Sequence, residues 1–215
     1  MDEGARQAMS SQRDQILGRV RDALAPLAQR APMPAWEREL VRRRQAPRDE
    51  DMWELFSKRF SAVNGTPLSS AGDLAQLLRR NSWLYGYCDP QLWPLFREAL
   101  AEPFTVETSQ SRESLLKYDF GITRAFGAIA ETGTLILTDS GTSSRLAALA
   151  PWVHVAVLDR RDILADIPAA LVAHPRDPNI VWVTGPSKTA DVEGIMIEGV
   201  HGPGVQIALL SPAPA

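Results

Sequence analysis

Three short apolar runs in the second half of the chain constrain its fold most: residues 153–158 (VHVAVL), 179–184 (NIVWVT) and 205–210 (VQIALL). Each has the length of a buried β-strand. Between them, residues 161–171 and 191–200 carry apolar side chains at helical spacing. The first half repeats the alternation more weakly. Met52, Trp53, Leu55, Phe56 and Phe60 predict a helix leading into a short strand at 61–64, with a turn marked by Asn64-Gly65 and Pro67. Ser69 or Ser70 then caps a helix through Leu74, Leu77 and Leu78, and residues 81–88, 91–101 and 104–108 read as strand, helix and extended chain. Helices of about ten residues alternating with short strands imply a mostly parallel sheet covered on both faces, an open three-layer α/β/α fold. Ligands of such sheets sit beyond the carboxyl ends of the strands, which directs attention to the loops after Thr138, Leu158 and Thr184.

Residues 126–138 (FGAIAETGTLILT) place one carboxylate, Glu131, in a small and apolar strand-like run. Strand alternation would put it on one face with Ile129, Gly133 and Leu135. A carboxylate there must find donors or stay protonated, because an isolated buried charge is costly. Glu131 is therefore the candidate catalytic residue, as general base or nucleophile, with Thr132, Gly133 and Thr134 beside it as candidate ligand contacts. The alternative is a glutamate that accepts backbone N–H bonds and pins a loop.

Residues 184–191 (TGPSKTAD) leave one predicted strand and enter a predicted helix whose face is Val192, Ile195, Met196 and Gly199. Free amides at a helix start, the hydroxyls of Ser187 and Thr189, and the Lys188 ammonium would form an anion cradle, with Gly185 and Asp191 part of the loop. A phosphate, carboxylate or nucleotide would suit it, and CoA is a further candidate ligand. The spacing is not that of a Walker A loop, and G-x-G-x-x-G is absent. On the alternative reading, Ser187, Thr189 or Asp191 merely caps the helix. His201 and Gly202 would close that helix, the glycine as a left-handed cap, leaving His201 about 20 Å from Lys188. Asp139 and Ser140 open a hydroxyl-rich loop that could hold a second anionic group or simply turn the chain. The three histidines, His154, His174 and His201, have no metal-ligand spacing, so no metal is expected.

Residues 1–50 read as an extension and 51–215 as the α/β domain. The extension carries an amphipathic helix from Ser10 to Leu27, capped by Ser10 or Ser11, then a Pro- and Arg-rich piece with too little apolar surface to fold alone. That piece is expected to wrap the main domain or a second subunit, which allows a homo-oligomer. The net charge of −3 argues against nucleic-acid binding. A single cysteine, Cys88, cannot hold an iron–sulfur cluster, which takes about four thiolates. With no membrane span or signal peptide legible, a cytoplasmic protein is expected.

Taken together and in order, AIAETGTLILTDSG, the following RLAAL and PWVHV, then TGPSKTADVE and GVHGP resemble the lactate-utilization (LUD) domain family, and within it the lactate utilization protein C group. The resemblance is strong over residues 121–210 and weaker over 51–108. It implies a fold similar to the sugar-phosphate isomerase and CoA-transferase-like α/β proteins. It also implies a role in oxidizing L-lactate to pyruvate beside iron–sulfur lactate utilization proteins, this chain being the cluster-free component. Three signatures carry over by motif match: Glu131 through Thr134; Thr184 through Asp191, including Pro186, with Glu193; and His201, Gly202 and Pro203. The resemblance implies no mechanism for them. A stand-alone enzyme acting on a phosphorylated, CoA-linked or nucleotide substrate is the rival expectation.

Overall fold

The structure is a computed structural model and describes residues 3–26, 51–110, 113–114, 116–139, 144–173, 177, 179–190 and 196–211. Two units are distinct, Met1–Arg44 and Gln45–Ala215. In the first, α1 (Glu3–Leu24) starts well before the expected cap, so Ser10 and Ser11 lie inside it. The preceding Ala, Arg, Gln and Met residues are good helix formers, which extends the helix backwards. The Pro/Arg-rich segment 30–50 lies outside the described residues.

The second unit runs α2 (Met52–Ala62), β1 (Thr66–Leu68), α3 (Ala71–Arg80), β2 (Tyr85–Cys88), α4 (Trp93–Phe96), β3 (Thr105–Glu107), β4 (Phe120–Arg124), β5 (Gly127–Ile129), β6 (Thr134–Thr138) and α5 (Arg145–Leu149). It continues with β7 (Val153–Leu158), β8 (Ile163–Leu164), α6 (Ile167–Ala173), β9 (Ile180–Val183), β10 (Lys188–Ala190), β11 (Met196–Glu198) and β12 (Val205–Leu210). The helix starts follow local chemistry: Asp51 accepts from the Trp53 amide at the head of α2, and Ser70 accepts from the Asp73 amide at the head of α3.

Six strands form the central sheet in the order β1-β12-β7-β4-β2-β3, every pair parallel. This is the mixed α/β class with a parallel central sheet that the alternation implied. One face packs on α3 and α4, where Leu74, Leu78 and Phe96 meet Ile122, Val155 and Leu209. The other face contributes Ala156, Leu158 and Ala208 to a core shared with Trp53, Phe56 and Phe60 of α2.

That second core also contains Ala128, Leu135 and Leu137, which belong to a separate four-stranded sheet, β8-β5-β6-β9. The alternation did not reveal this sheet. Residues 126–138 are not one strand but an antiparallel hairpin, β5 against β6, with a turn at Ala130–Gly133. Its cause is Gly133, whose φ of +65° reverses the chain in a conformation glycine adopts without strain. Residues 161–171, expected as a helix, divide into a 3-10 turn (Arg160–Asp162), β8 and α6.

The helix expected over 191–200 is also overturned. β10 and β11 form an antiparallel hairpin with Lys188 opposite Glu198 and Ala190 opposite Met196, and residues 191–195 between them lie outside the described residues. Met196 and Ile197 are exposed, so the helical spacing of apolar residues there does not report a buried helix face.

In the middle of the central sheet His154, Thr123 and Gln206 are buried together. His154 Nε2 lies 2.9 Å from Thr123 Oγ1, and Nδ1 lies 2.8 Å from Gln206 Nε2. Burial pushes the imidazole down to about 4, against which the Gln206 hydrogen bond works. His154 is thus a neutral, satisfied core histidine.

Candidate functional site

The ETGT and TGPSK signatures meet because β6 pairs antiparallel with β9, setting Leu135 opposite Val183 and so bringing Thr134, at the start of β6, beside Thr184, just past the end of β9. Thr134 Oγ1 is 2.8 Å from Thr184 Oγ1, and Thr132 Oγ1 is 2.6 Å from Thr134 Oγ1. Three hydroxyls form one ladder, with Thr134 buried at its centre. Both signatures rest on the end of α2. A Cβ on Gly133 would lie 2.4 Å from the Phe60 nitrogen, and one on Gly185, whose φ is +75°, would lie 2.1 Å from the Val63 carbonyl oxygen. The two glycines allow backbone to approach backbone where a side chain would be in the way.

Glu131 occupies the turn, not a strand face, and is half-buried. Its amide donates to the Ala165 carbonyl at 3.1 Å, and the Gly133 amide donates to the Ile129 carbonyl at 3.0 Å. Among the described residues its carboxylate has no hydrogen bond or ion pair. The expected face with Ile129, Gly133 and Leu135 is therefore replaced by a turn tethered through its backbone amides.

Lys188 does not stand at a helix start, so the amides of the expected anion cradle are not assembled there. Its ammonium lies 3.4 Å from the Val63 carbonyl oxygen, near the carboxyl end of α2, and 3.4 Å from Glu198 Oε1. A cation at that position complements the negative end of the helix. Asn64 Nδ2 donates to the same Glu198 oxygen at 2.8 Å. That donation, with Lys188 behind it, holds the Glu198 carboxyl below the usual carboxylate range. Asn64 adopts a φ of 67°, a conformation asparagine tolerates better than most residues. Asn64, the Val63 carbonyl and Glu198 were missed by motif reading; the Asn64-Gly65 dipeptide was the one available signal.

The third signature lies directly against the second. The Ser187 amide donates to the Pro203 carbonyl at 2.9 Å, and the Gly199 amide donates to the Ser187 carbonyl at 2.8 Å. Gly202 packs on Ser187, where an added Cβ would come within 3.2 Å. The expected separation of about 20 Å between Lys188 and His201 falls with the helix that required it. The left-handed residue is Gly199, at φ 81°, not Gly202. His201 is exposed, and Pro186 and Pro203 are buried beneath this layer. Thr189 Oγ1 donates to the Ile197 carbonyl across the hairpin at 3.5 Å.

Asp139 lies at the opposite end of β6 from Thr134, about 17 Å away at strand rise. It binds Arg145 Nε at 2.8 Å and accepts from Asn179 Nδ2 at 2.6 Å. Asp139 therefore secures the start of α5 to the β9 approach and does not join the threonine ladder. Ser140, Asp191 and Glu193 lie outside the described residues. Among the described residues no three His, Cys, Asp or Glu side chains cluster as metal ligands would, and no helix is long and apolar enough to cross a membrane.

The signatures agree with similarity to known proteins. A relative from an Exiguobacterium species, named lactate utilization protein C, is 36% identical over 101 residues, covering 43% of this chain and 44% of the relative. Another of the same name from Deinococcus radiodurans is 34% identical over 102 residues, covering 45% and 48%. The matched stretch thus spans less than half the length of these curated relatives. A crystal structure of a DUF162 family protein from Deinococcus radiodurans shares the fold, with a TM-score of 0.52, 22% identity, and coverage of 74% of this chain and 96% of that one. The LUD domain model matches residues 89–210, more than half of the chain, and the chain belongs to the LUD domain family.

Proposed function

We propose that the chain is the cluster-free component of a lactate utilization system, supporting the oxidation of L-lactate to pyruvate beside iron–sulfur partner proteins. Family membership and the names of its relatives support that role. The chemistry of Cys88 fits it as well. This single thiol is buried, and burial with Asp89 beside it pushes it up to about 12, so it supplies no thiolate for a cluster.

The observation that carries the assignment of a site is Glu131. A carboxylate half withdrawn from water and left without a donor among the described residues adds little to the fold that a neutral residue would not give. It is nevertheless fixed by a left-handed glycine, a tethered amide and a threonine ladder. In this reading Glu131 is the group offered to a ligand or partner, as base or as hydrogen-bond acceptor. The threonines orient the turn, and Lys188 with Glu198 holds the adjoining hairpin on α2. A small anion arriving at Lys188 must compete with Glu198 for the ammonium.

Reconstitution tests the role. Lactate-dependent electron transfer by the iron–sulfur partners is measured with and without this chain, and the proposal requires the rate to depend on it. Turnover of a phosphorylated, CoA-linked or nucleotide substrate by the chain alone would replace the proposal with a stand-alone enzyme.

A further inference from the structure

The α/β unit also has a cleft on the other face of the central sheet from the α2 core. At the carboxyl ends of β1, β12 and β7 a cleft of about 200 Å3 is lined by Ser69, Ser70, Leu95, Phe96, Val157 and Leu209, among others. Open parallel sheets take ligands at this edge, and an apolar lining with few polar groups is the usual composition of small-molecule sites.

The strand register adds a charge to it. Leu68 pairs with Leu209, Leu209 with Val157, and Val157 with Arg124, one row across β1, β12, β7 and β4. Phe120 and Ile122, four and two residues before Arg124, belong to the core shared by Leu209, Val157 and Phe96. Strand alternation therefore sends the Arg124 side chain off the same face, one strand spacing of about 4.8 Å from Val157. Among the described residues Arg124 makes no hydrogen bond or ion pair, and its charge is a lesser influence, after Arg161, in holding the Asp159 carboxyl below the usual range. The carboxylates nearby are already held: both oxygens of Asp159 bond Arg161, and Asp73 accepts from the Ser70 hydroxyl. A guanidinium fork beside an apolar cleft is matched in shape and charge by a carboxylate on a short carbon skeleton.

We propose that this cleft binds a small monocarboxylic acid, its carboxylate on Arg124 and its carbon skeleton against Val157, Leu209 and Phe96. A cleft of about 200 Å3 suits a small ligand. This deepens the proposed role by naming a ligand class, and rests on that role only for the choice of L-lactate and pyruvate among the probes.

The test is calorimetric titration of the full chain with propionate, L-lactate, pyruvate and inorganic phosphate at one ionic strength. At least one carboxylate is expected to bind more tightly than phosphate. Arg124→Ala is expected to weaken it about tenfold, with Arg124→Lys recovering part of the loss. Leu95→Trp, at a position exposed enough to accept the larger ring, is expected to fill the cleft and abolish binding, with circular dichroism confirming the fold. No carboxylate binding to the folded wild type, equal binding of phosphate, or loss of binding in Lys188→Ala but not in Arg124→Ala would each overturn the proposal. Reconstituted electron transfer is scored separately: a chain that supports lactate oxidation yet binds no carboxylate sinks the cleft and leaves the role standing.

Discussion

The middle of the central sheet buries a histidine whose every polar atom has a partner, while the β5–β6 turn holds a carboxylate that has none among the described residues. His154 is fully buried and bonded on both ring nitrogens by Thr123 and Gln206. Glu131 is half-buried and has no side-chain partner among the described residues. Polar groups that serve the fold are satisfied within it, because an unmet buried donor or acceptor costs about 1–3 kcal/mol. The contrast teaches that burial alone does not mark function. A charged group fixed in place by geometry with no partner among the described residues is the stronger sign, and the two regions should respond differently to substitution.

The largest effect is expected where the turn is held. Gly133→Ala puts a Cβ into the backbone of α2 at a left-handed position. It should destabilize the α/β unit by about 4 kcal/mol in urea unfolding, from strain and overpacking together. A loss below about 1 kcal/mol would mean that the turn is not fixed, and the contrast with the sheet would fail.

Next comes the histidine. Its folded value of about 4 lies below the ordinary 6.5, so as pH falls the unfolded chain takes up a proton first. Stability should therefore decline from about pH 6.5 and level off near pH 4, by roughly 3 kcal/mol in all. His154→Gln should remove most of that slope. An unchanged slope would show that His154 is not the group responsible.

Thr134→Val removes the central hydroxyl of the ladder and should cost about 1 kcal/mol, because Thr132 and Thr184 each lose a partner. Lys188→Ala is expected to have the smallest effect on stability, and one that added salt diminishes, since the pair with Glu198 is partly exposed. The Glu198 carboxyl sits below its usual range because of Asn64 and Lys188, so its contribution is present at neutral pH and is lost as pH falls through that lowered value.

How far the sequence revealed this molecule follows the same divide. β7 and β12 were legible because strands buried on both faces are continuous apolar runs. The hairpin β10–β11 was not: Met196 and Gly199 fall at helical spacing from Val192 and Ile195, while Met196 and Ile197 are exposed and report no core. The run 126–138 hid a turn because Gly133 was read as a small strand residue, although 13 residues exceed the usual strand. The motifs were found, but their support was not. Lys188 and Gly185 meet the Val63 carbonyl, a backbone atom that no side-chain pattern encodes. The place of Arg124 in the row beside Val157 and Leu209 became visible only through the register of four strands.

The central claim is that the Glu131 carboxylate serves function and not the fold. It is tested most directly by comparing Glu131→Gln with wild type in reconstituted lactate oxidation, with urea unfolding measured on the same preparations. The account predicts an unchanged unfolding midpoint and a rate lowered at least about tenfold, the size expected for losing one charged contact. A wild-type rate, or a loss of stability that accounts for the lowered rate, would contradict it.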